Sequence, residues 1–179
     1  NGWEIVEYHG PDIEATFTIP ETLTVEEVTL PLISIGEYAF RWAKMNSSAT
    51  FSIDNNSLLL IDDYALYGMG VNNLNTPNLD VLGNYALYNN AITIANMNNL
   101  YSIGDYALAN NNVLNYVNLG KVEKIGASAL ENCTALEQIF ISTTNVDAST
   151  ITANITIGEN AFNNIATIIG KRFRIYVPD

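Results

Sequence analysis

The chain is poor in the side chains on which most chemistry relies. Its 179 residues include one cysteine, Cys133, and one histidine, His9. A lone cysteine rules out an intrachain disulfide. His9 sits in the polar stretch Glu7-Tyr8-His9-Gly10 with no cysteine nearby, which leaves no zinc-type ligand set and no base for Ser/His/Asp chemistry. Positive charge is also scarce: seven Lys and Arg against nineteen Asp and Glu give a formal net charge of −12. Nucleic-acid backbones and anionic membranes need clustered cations, so neither is expected as a partner. No apolar run approaches the ~20 residues of a membrane-spanning helix, so no direct membrane insertion is expected.

Acidic residues offer little more. Asp54-Asn55-Asn56 and Asp62-Asp63 carry oxygens that suit calcium, but their spacing matches no calcium loop and they read as polar turns. Glycoside hydrolysis needs a carboxylate pair, and no acidic pair recurs on one strand face. The sequence therefore assigns no catalytic residue, no metal ligand and no cofactor, and the chain is read as a non-enzyme.

What the chain does have is repetition. A phrase of the form Ile/Leu-Gly-x-x-Ala-Phe/Leu occurs six times. The copies start at Ile35, Ile61, Leu82, Ile103, Ile125 and Ile157, and Asp62 replaces the glycine in the second. Their alanines, at 39, 65, 86, 107, 129 and 161, are 26, 21, 21, 22 and 32 residues apart. Such a period is the signature of a solenoid, one coil per copy. The phrase reads as a corner: Ile or Leu enters the core, Gly tolerates positive φ and close backbone approach, and Ala sits where coils come nearest. Asn89, Asn110, Asn132 and Asn164 each follow an alanine by three, placed to bond their own turn and the next coil. Cys133 takes the place of Met69 and Ile165 in other coils, so it reads as a small buried hydrophobe.

Between corners runs a second pattern, apolar-x-x-apolar-x-apolar. It appears at Val71–Thr76, Ile92–Met97, Leu114–Leu119 and Leu136–Ile141, which predicts one short strand per coil, stacked in parallel. Its outward positions form two rows. One is Asn73, Ile94, Tyr116, Gln138 and Arg174; the other is Asn75, Asn96, Asn118, Phe140 and Tyr176. Asn75, Asn96 and Asn118 are placed for an amide ladder. Towards the C-terminus rings enter the rows at Tyr116, Phe140 and Tyr176, beside Gln138 and Arg174, and these five are the candidate binding residues.

Residues 1–34 read as an N-terminal cap, with strands at Ala15–Pro20 and Val28–Pro31 and with Trp3, Ile5 and Val6 over the open end of the core. Residues 35–172 are the repeats and 173–179 a last strand that stops abruptly, giving a single domain over 1–179. The long steps place extra residues near Asn46–Thr50 and in Ser142–Thr152, the latter a surface loop. The chain opens at Asn1 without an initiator Met, which reads as a mature or trimmed fragment.

The stretch Lys124 to Ile141, reading Lys-Ile-Gly-Ala-Ser-Ala-Leu-Glu-Asn-Cys-Thr-Ala-Leu-Glu-Gln-Ile-Phe-Ile, together with Ile19-Pro20 and the closing Ile175-Tyr176-Val177-Pro178, resembles the BspA-like, or Treponema pallidum-type, leucine-rich repeats. The resemblance covers roughly residues 15–178. It implies a right-handed leucine-rich-repeat solenoid of about six coils, with short parallel strands on one face and loops or short helical turns elsewhere. It also implies a surface-exposed or secreted bacterial protein, described in the family as an adhesin that binds host matrix proteins or other cells. The expected function is thus a non-catalytic binding module with a protein or glycan partner. A structural spacer that presents other domains is the alternative, and a hydrolase comes third.

Overall fold

In a computed structural model the chain winds into a solenoid with two parallel sheets. The structure describes residues 1–142, 155–165 and 174–176, the last three by their backbone only. Most of the loop expected at Ser142–Thr152 lies outside the described residues, as do Phe173, Val177 and Pro178. One sheet runs through β1 (Trp3–Ile5), β4 (Val28–Ile35), β6 (Leu60–Ile61), β8 (Val81–Leu82), β10 (Ser102–Ile103), β12 (Lys124–Ile125) and β14 (Thr156–Ile157). The other runs through β2 (Phe17–Thr18), β5 (Phe51–Asp54), β7 (Val71–Asn75), β9 (Ile94–Asn96), β11 (Tyr116–Asn118), β13 (Gln138–Phe140) and β15 (Arg174–Tyr176). A further strand, β3 (Thr22–Val25), pairs antiparallel with β4.

Two expectations need correction here. Each coil carries two strands, not one, because the strand that leads into each corner is only two residues long in most coils and too short to show alternation. The expected short helical turns are absent, and no helix occurs among the described residues. The corners are isolated turns instead, closed by bonds such as Ala39 N–H to Gly36 O (3.1 Å) and Arg41 N–H to Tyr38 O (2.9 Å). A left-handed residue sits inside every corner: Tyr38, Tyr64, Tyr85, Tyr106, Ser128 and Asn160 all have φ between 52° and 57°. One such residue stops a right-handed helical run before it can propagate.

Of the two reasons expected for the corner glycines, positive φ does not apply, since Gly36, Gly83, Gly104, Gly126 and Gly158 are absent from the left-handed set, and close backbone approach does. They need space. A Cβ on Gly83 or Gly104 would lie 2.6 Å from the backbone nitrogen of Asp63 or Asn84 in the preceding coil. Backbone bonds then knit corner to corner. Tyr64 N–H donates to Asn84 O, Leu66 to Ala86 O, Tyr85 to Asp105 O and Leu87 to Ala107 O, each at 2.9 Å. The alanine column is buried throughout, and the flanking Ile, Leu and Phe side chains form one continuous core along the stack.

Four residues after the alanine, two coils bury asparagine. Asn111 is fully buried; its Nδ2 donates to Leu87 O (3.0 Å) and Leu108 O (2.8 Å), and its Oδ1 accepts from Ile92 N–H (3.3 Å). Asn90 serves Leu66 O and Val71 N–H in the same way one coil earlier. Cys133 fills this position in a later coil, buried, with its thiol against Leu108 O (3.3 Å). Burial pushes that thiol up to about 12, so it stays protonated and unreactive, matching its reading as a packing residue.

The N-terminal segment is part of the solenoid: β1 extends one sheet and β2 the other. Its open end is covered by rings. Tyr8 stacks on Phe40 at 5.2 Å and Phe17 meets Phe51 edge-on at 5.0 Å. Trp3 and Ile5 pack against the core, whereas Val6 is 70% exposed and does not share in the cover.

Two substitutions test this packing by thermal melting. Gly104→Ala forces a methyl into the preceding coil's backbone and should cost ~1–3 kcal/mol, lowering Tm by about 5 °C. Asn111→Leu leaves the buried Leu87 carbonyl and the Ile92 N–H unpaired and leaves Leu108 O only the Cys133 thiol, so it should lose at least ~2 kcal/mol, while Asn111→Cys, which mimics Cys133, should lose less.

Candidate functional site

The strand rows are in register as expected. Asn75 pairs with Asn96, Asn96 with Asn118, Asn118 with Phe140 and Phe140 with Tyr176. Ile94 pairs with Tyr116, Tyr116 with Gln138 and Gln138 with Arg174. Tyr116, Gln138 and Phe140 are half-buried and Ile94 is exposed. Arg174 and Tyr176 complete the rows by backbone position, and their side chains lie outside the described residues. The amide ladder is not formed through Asn75, Asn96 and Asn118. Asn75 donates to Asp54 Oδ1 (2.7 Å), and Asn118 donates to Asn98 Oδ1 (3.1 Å) and accepts from Gly120 N–H (2.9 Å). Asp54 is the in-register neighbour of Asn75 one coil back, so the row is bonded there by a carboxylate and an amide, while Asn118 reaches Asn98, beside the row in the preceding coil. Amide ladders form elsewhere, through Asn110, Asn132 and Asn164 (2.9 and 2.7 Å) and through Asn78 and Asn99 (2.8 Å).

A second surface, unforeseen, lies on the corners. Tyr38, Tyr64, Tyr85 and Tyr106 stack in one column, with ring centroids 4.9, 4.9 and 4.8 Å apart and planes within 13° of parallel. Beside it Tyr67 and Tyr88 stack at 4.9 Å. Arg41 closes the N-terminal end, its guanidinium 5.7 Å from the Tyr38 ring and 4.2 Å from the ring of Trp42, which is 65% exposed. A hollow of about 440 Å³ opens among Tyr38, Arg41, Tyr64, Tyr67 and Tyr85. The signal was legible: tyrosine precedes the corner alanine in four of the six copies. What sequence could not show is that the left-handed backbone turns those side chains outward to stack.

Carboxylates adjoin the first column. Glu37, Asp63 and Asp105 each precede a column tyrosine. Asp63 accepts from Asn84 N–H (2.6 Å) and from Asn84 Nδ2 (3.0 Å), and Asp105 accepts from Ala127 N–H (2.7 Å). Partial desolvation, neighbouring rings and the adjoining Asp63 and Asp105 raise the Tyr64 and Tyr85 hydroxyls above their ordinary value, so these two stay neutral. Across the acid column lies a shallow groove of about 560 Å³, which follows the glycines between Val81 and Gly158.

The weaker candidates resolve into local contacts. His9 is exposed and pairs with Glu7 at 3.1 Å. Asp54 bonds Asn75, Asp62 Oδ1 accepts from Asp63 N–H, and no cluster of three metal-ligating side chains occurs among the described residues. No helix of the described residues is long and apolar enough to cross a membrane.

Comparison with known proteins adds the following. A family model described as the BspA type leucine-rich repeat region matches residues 33–169 in six copies. No curated protein sequence matches the chain. Among solved structures, a leucine-rich repeat protein from Bacteroides ovatus is 17% identical with a TM-score of 0.55, over 84% of this chain and 49% of that one. A leucine-rich cell surface protein from Faecalibacterium prausnitzii is 16% identical with a TM-score of 0.44, over 79% and 50%. The pneumococcal vaccine antigen PcpA is 18% identical with a TM-score of 0.49, over 100% and 44%. The chain thus spans about half the length of these structures or less.

The tyrosine column carries its own test. A bulky residue in the left-handed region costs ~1–2 kcal/mol, and ring stacking returns ~0.5–1.5 kcal/mol. Tyr106→Asn, which installs the residue found at Asn160, should therefore change stability by less than ~1 kcal/mol. Tyr85→Val keeps the strain, adds β-branching and removes two stacks, so its Tm should fall by several degrees.

Proposed function

The chain belongs to the BspA-type leucine-rich repeat family, and from that premise we propose a non-catalytic binding module of a cell-surface or secreted bacterial protein, acting as an adhesin. Its partner is a protein or glycan on a host or neighbouring cell. The observation that carries the reading is the register of the second sheet. Every coil from β7 to β13 presents outward side chains at matched positions, and the rows change from asparagine to ring as they approach β15. Repeating backbone positions with changing side chains is how a solenoid makes an extended recognition surface. Aromatic side chains and arginine are also those that carry most binding energy at protein interfaces.

The contact surface proposed on this sheet is Tyr116, Gln138, Phe140, Arg174 and Tyr176. Phe140 is the discriminating residue, since its partners in earlier coils are Asn118, Asn96 and Asn75. Its ring is half-exposed.

The test begins with an array of host glycoproteins and glycans to find a ligand, followed by Phe140→Asn. At a hot spot the exchange should weaken binding by ~2 kcal/mol, about thirtyfold, with little change in Tm. Unchanged affinity with a Tm lowered by several degrees would instead assign the ring to packing and sink the binding-face reading. A chain that binds nothing on the array would favour the spacer.

A further inference from the structure

The tyrosine columns lie on the corners that follow the first sheet, away from the rows just described, and their chemistry points to a particular ligand. Two of the chain's few cations show what the aromatic surface takes. Arg41 lies over Tyr38 and Trp42, and Lys124 lies over Tyr101 at 5.7 Å. Neither forms an ion pair among the described residues, in a chain with nineteen Asp and Glu. Ring faces attract cations through the aromatic quadrupole, and Arg more often than Lys. In this molecule the rings hold cations that the surface carboxylates do not.

Charge around the columns favours the same ligand. Glu37, Asp63 and Asp105 run alongside the tyrosines, and the chain as a whole carries −12. Among the described residues Arg41 is the one cation that lines the hollow, at its N-terminal end, and the rest of its wall is Tyr38, Tyr64, Tyr67 and Tyr85. Tyr67 is 48% exposed, and its backbone is not left-handed. A contiguous ring surface of this kind on a strongly acidic chain is complementary to a basic one.

We propose that the corner surface carrying the tyrosine columns docks a basic, extended segment of a partner protein, whose Arg and Lys side chains are held by the adjoining carboxylates, one of them lying over the exposed ring of Tyr67 at the end of its stack. The spacing sets a register. Column rings are 4.8–4.9 Å apart, and an extended or polyproline-II segment advances ~3.1–3.3 Å per residue. Three residues of ligand thus span about two coils, so basic residues three apart match Asp63 and Asp105, which adjoin column tyrosines two coils apart.

The test uses a fluorescent nine-residue peptide with Arg at positions 1, 4 and 7 and Gly, Ser or Pro elsewhere, followed by anisotropy at low and high salt. Binding is expected at low salt, weaker at high salt. Tyr67→Ala should weaken it about two- to fivefold, the range for an exposed cation–π contact. Tyr67→Phe should retain it, and Tyr67→Lys should lose it by repulsion with the fold intact, as read from the melting curve. Phe140→Asn should leave peptide binding unchanged, which separates this surface from the strand rows. Peptide binding indifferent to Tyr67→Ala and Tyr67→Lys would show only diffuse attraction to an acidic chain and overturn the proposal. So would a neutral oligosaccharide that binds and is lost with Tyr67→Ala while the basic peptide does not bind.

Discussion

Backbone hydrogen bonding between successive coils, at the spacing of adjacent parallel strands, is the constraint on which everything else in this molecule rests. The bonds run through both sheets and continue around the corners, where Tyr64, Leu66, Tyr85 and Leu87 donate to the coil that follows. That spacing leaves no room for a side chain at the glycines, which is why Gly83 and Gly104 would drive a methyl into a neighbouring peptide. It also dictates alanine at the inner turn. Leucine and isoleucine then fill the interior, where no coil could bury them alone.

The same spacing explains where polar side chains are spent. Turns inside a core leave carbonyl and N–H groups without sheet partners, and these must be bonded. Asn90 and Asn111 do this from within, each bridging an amide and carbonyls of different coils. Outside, Asp63, Asn84 and Asp105 bond the backbone of the coil above, and Asn110, Asn132 and Asn164 bond one another. Much of the asparagine in the composition is structural, which leaves fewer residues free to define a ligand site. The left-handed tyrosines fit the same economy. Each is strained locally, yet the conformation places its N–H for the coil above and its ring on the next ring.

Two surfaces therefore stand out, on different sides of the coil. The strand rows are flat and change in chemistry from one end of the stack to the other. The tyrosine columns are uniform, acidic at their border and capped by the chain's own arginine. A solenoid can serve both because each coil supplies one position to each surface and neither disturbs the core between them.

The repeat period, the corner phrase and the 22-residue strand pattern are enough to read a parallel solenoid from the chain alone, because each coil must bury the same face at the same place. The strand rows follow from that, and register bears out their alignment from Asn75 to Phe140. The burial of Cys133 was likewise legible, since Met69 occupies its place three coils earlier. Other features were decided by the tertiary structure. A two-residue strand has no period to detect, so the first sheet was invisible. The glycines read as left-handed, but it is the tyrosines that adopt φ near 54°, and only the bonds to the next coil make that conformation favourable. The asparagine row forms no amide ladder: Asn75 bonds the carboxylate in register with it and Asn118 bonds Asn98 beside the row. Local pattern specifies which residues face inward, whereas side-chain partners across coils depend on distances that exist only once the coils are stacked.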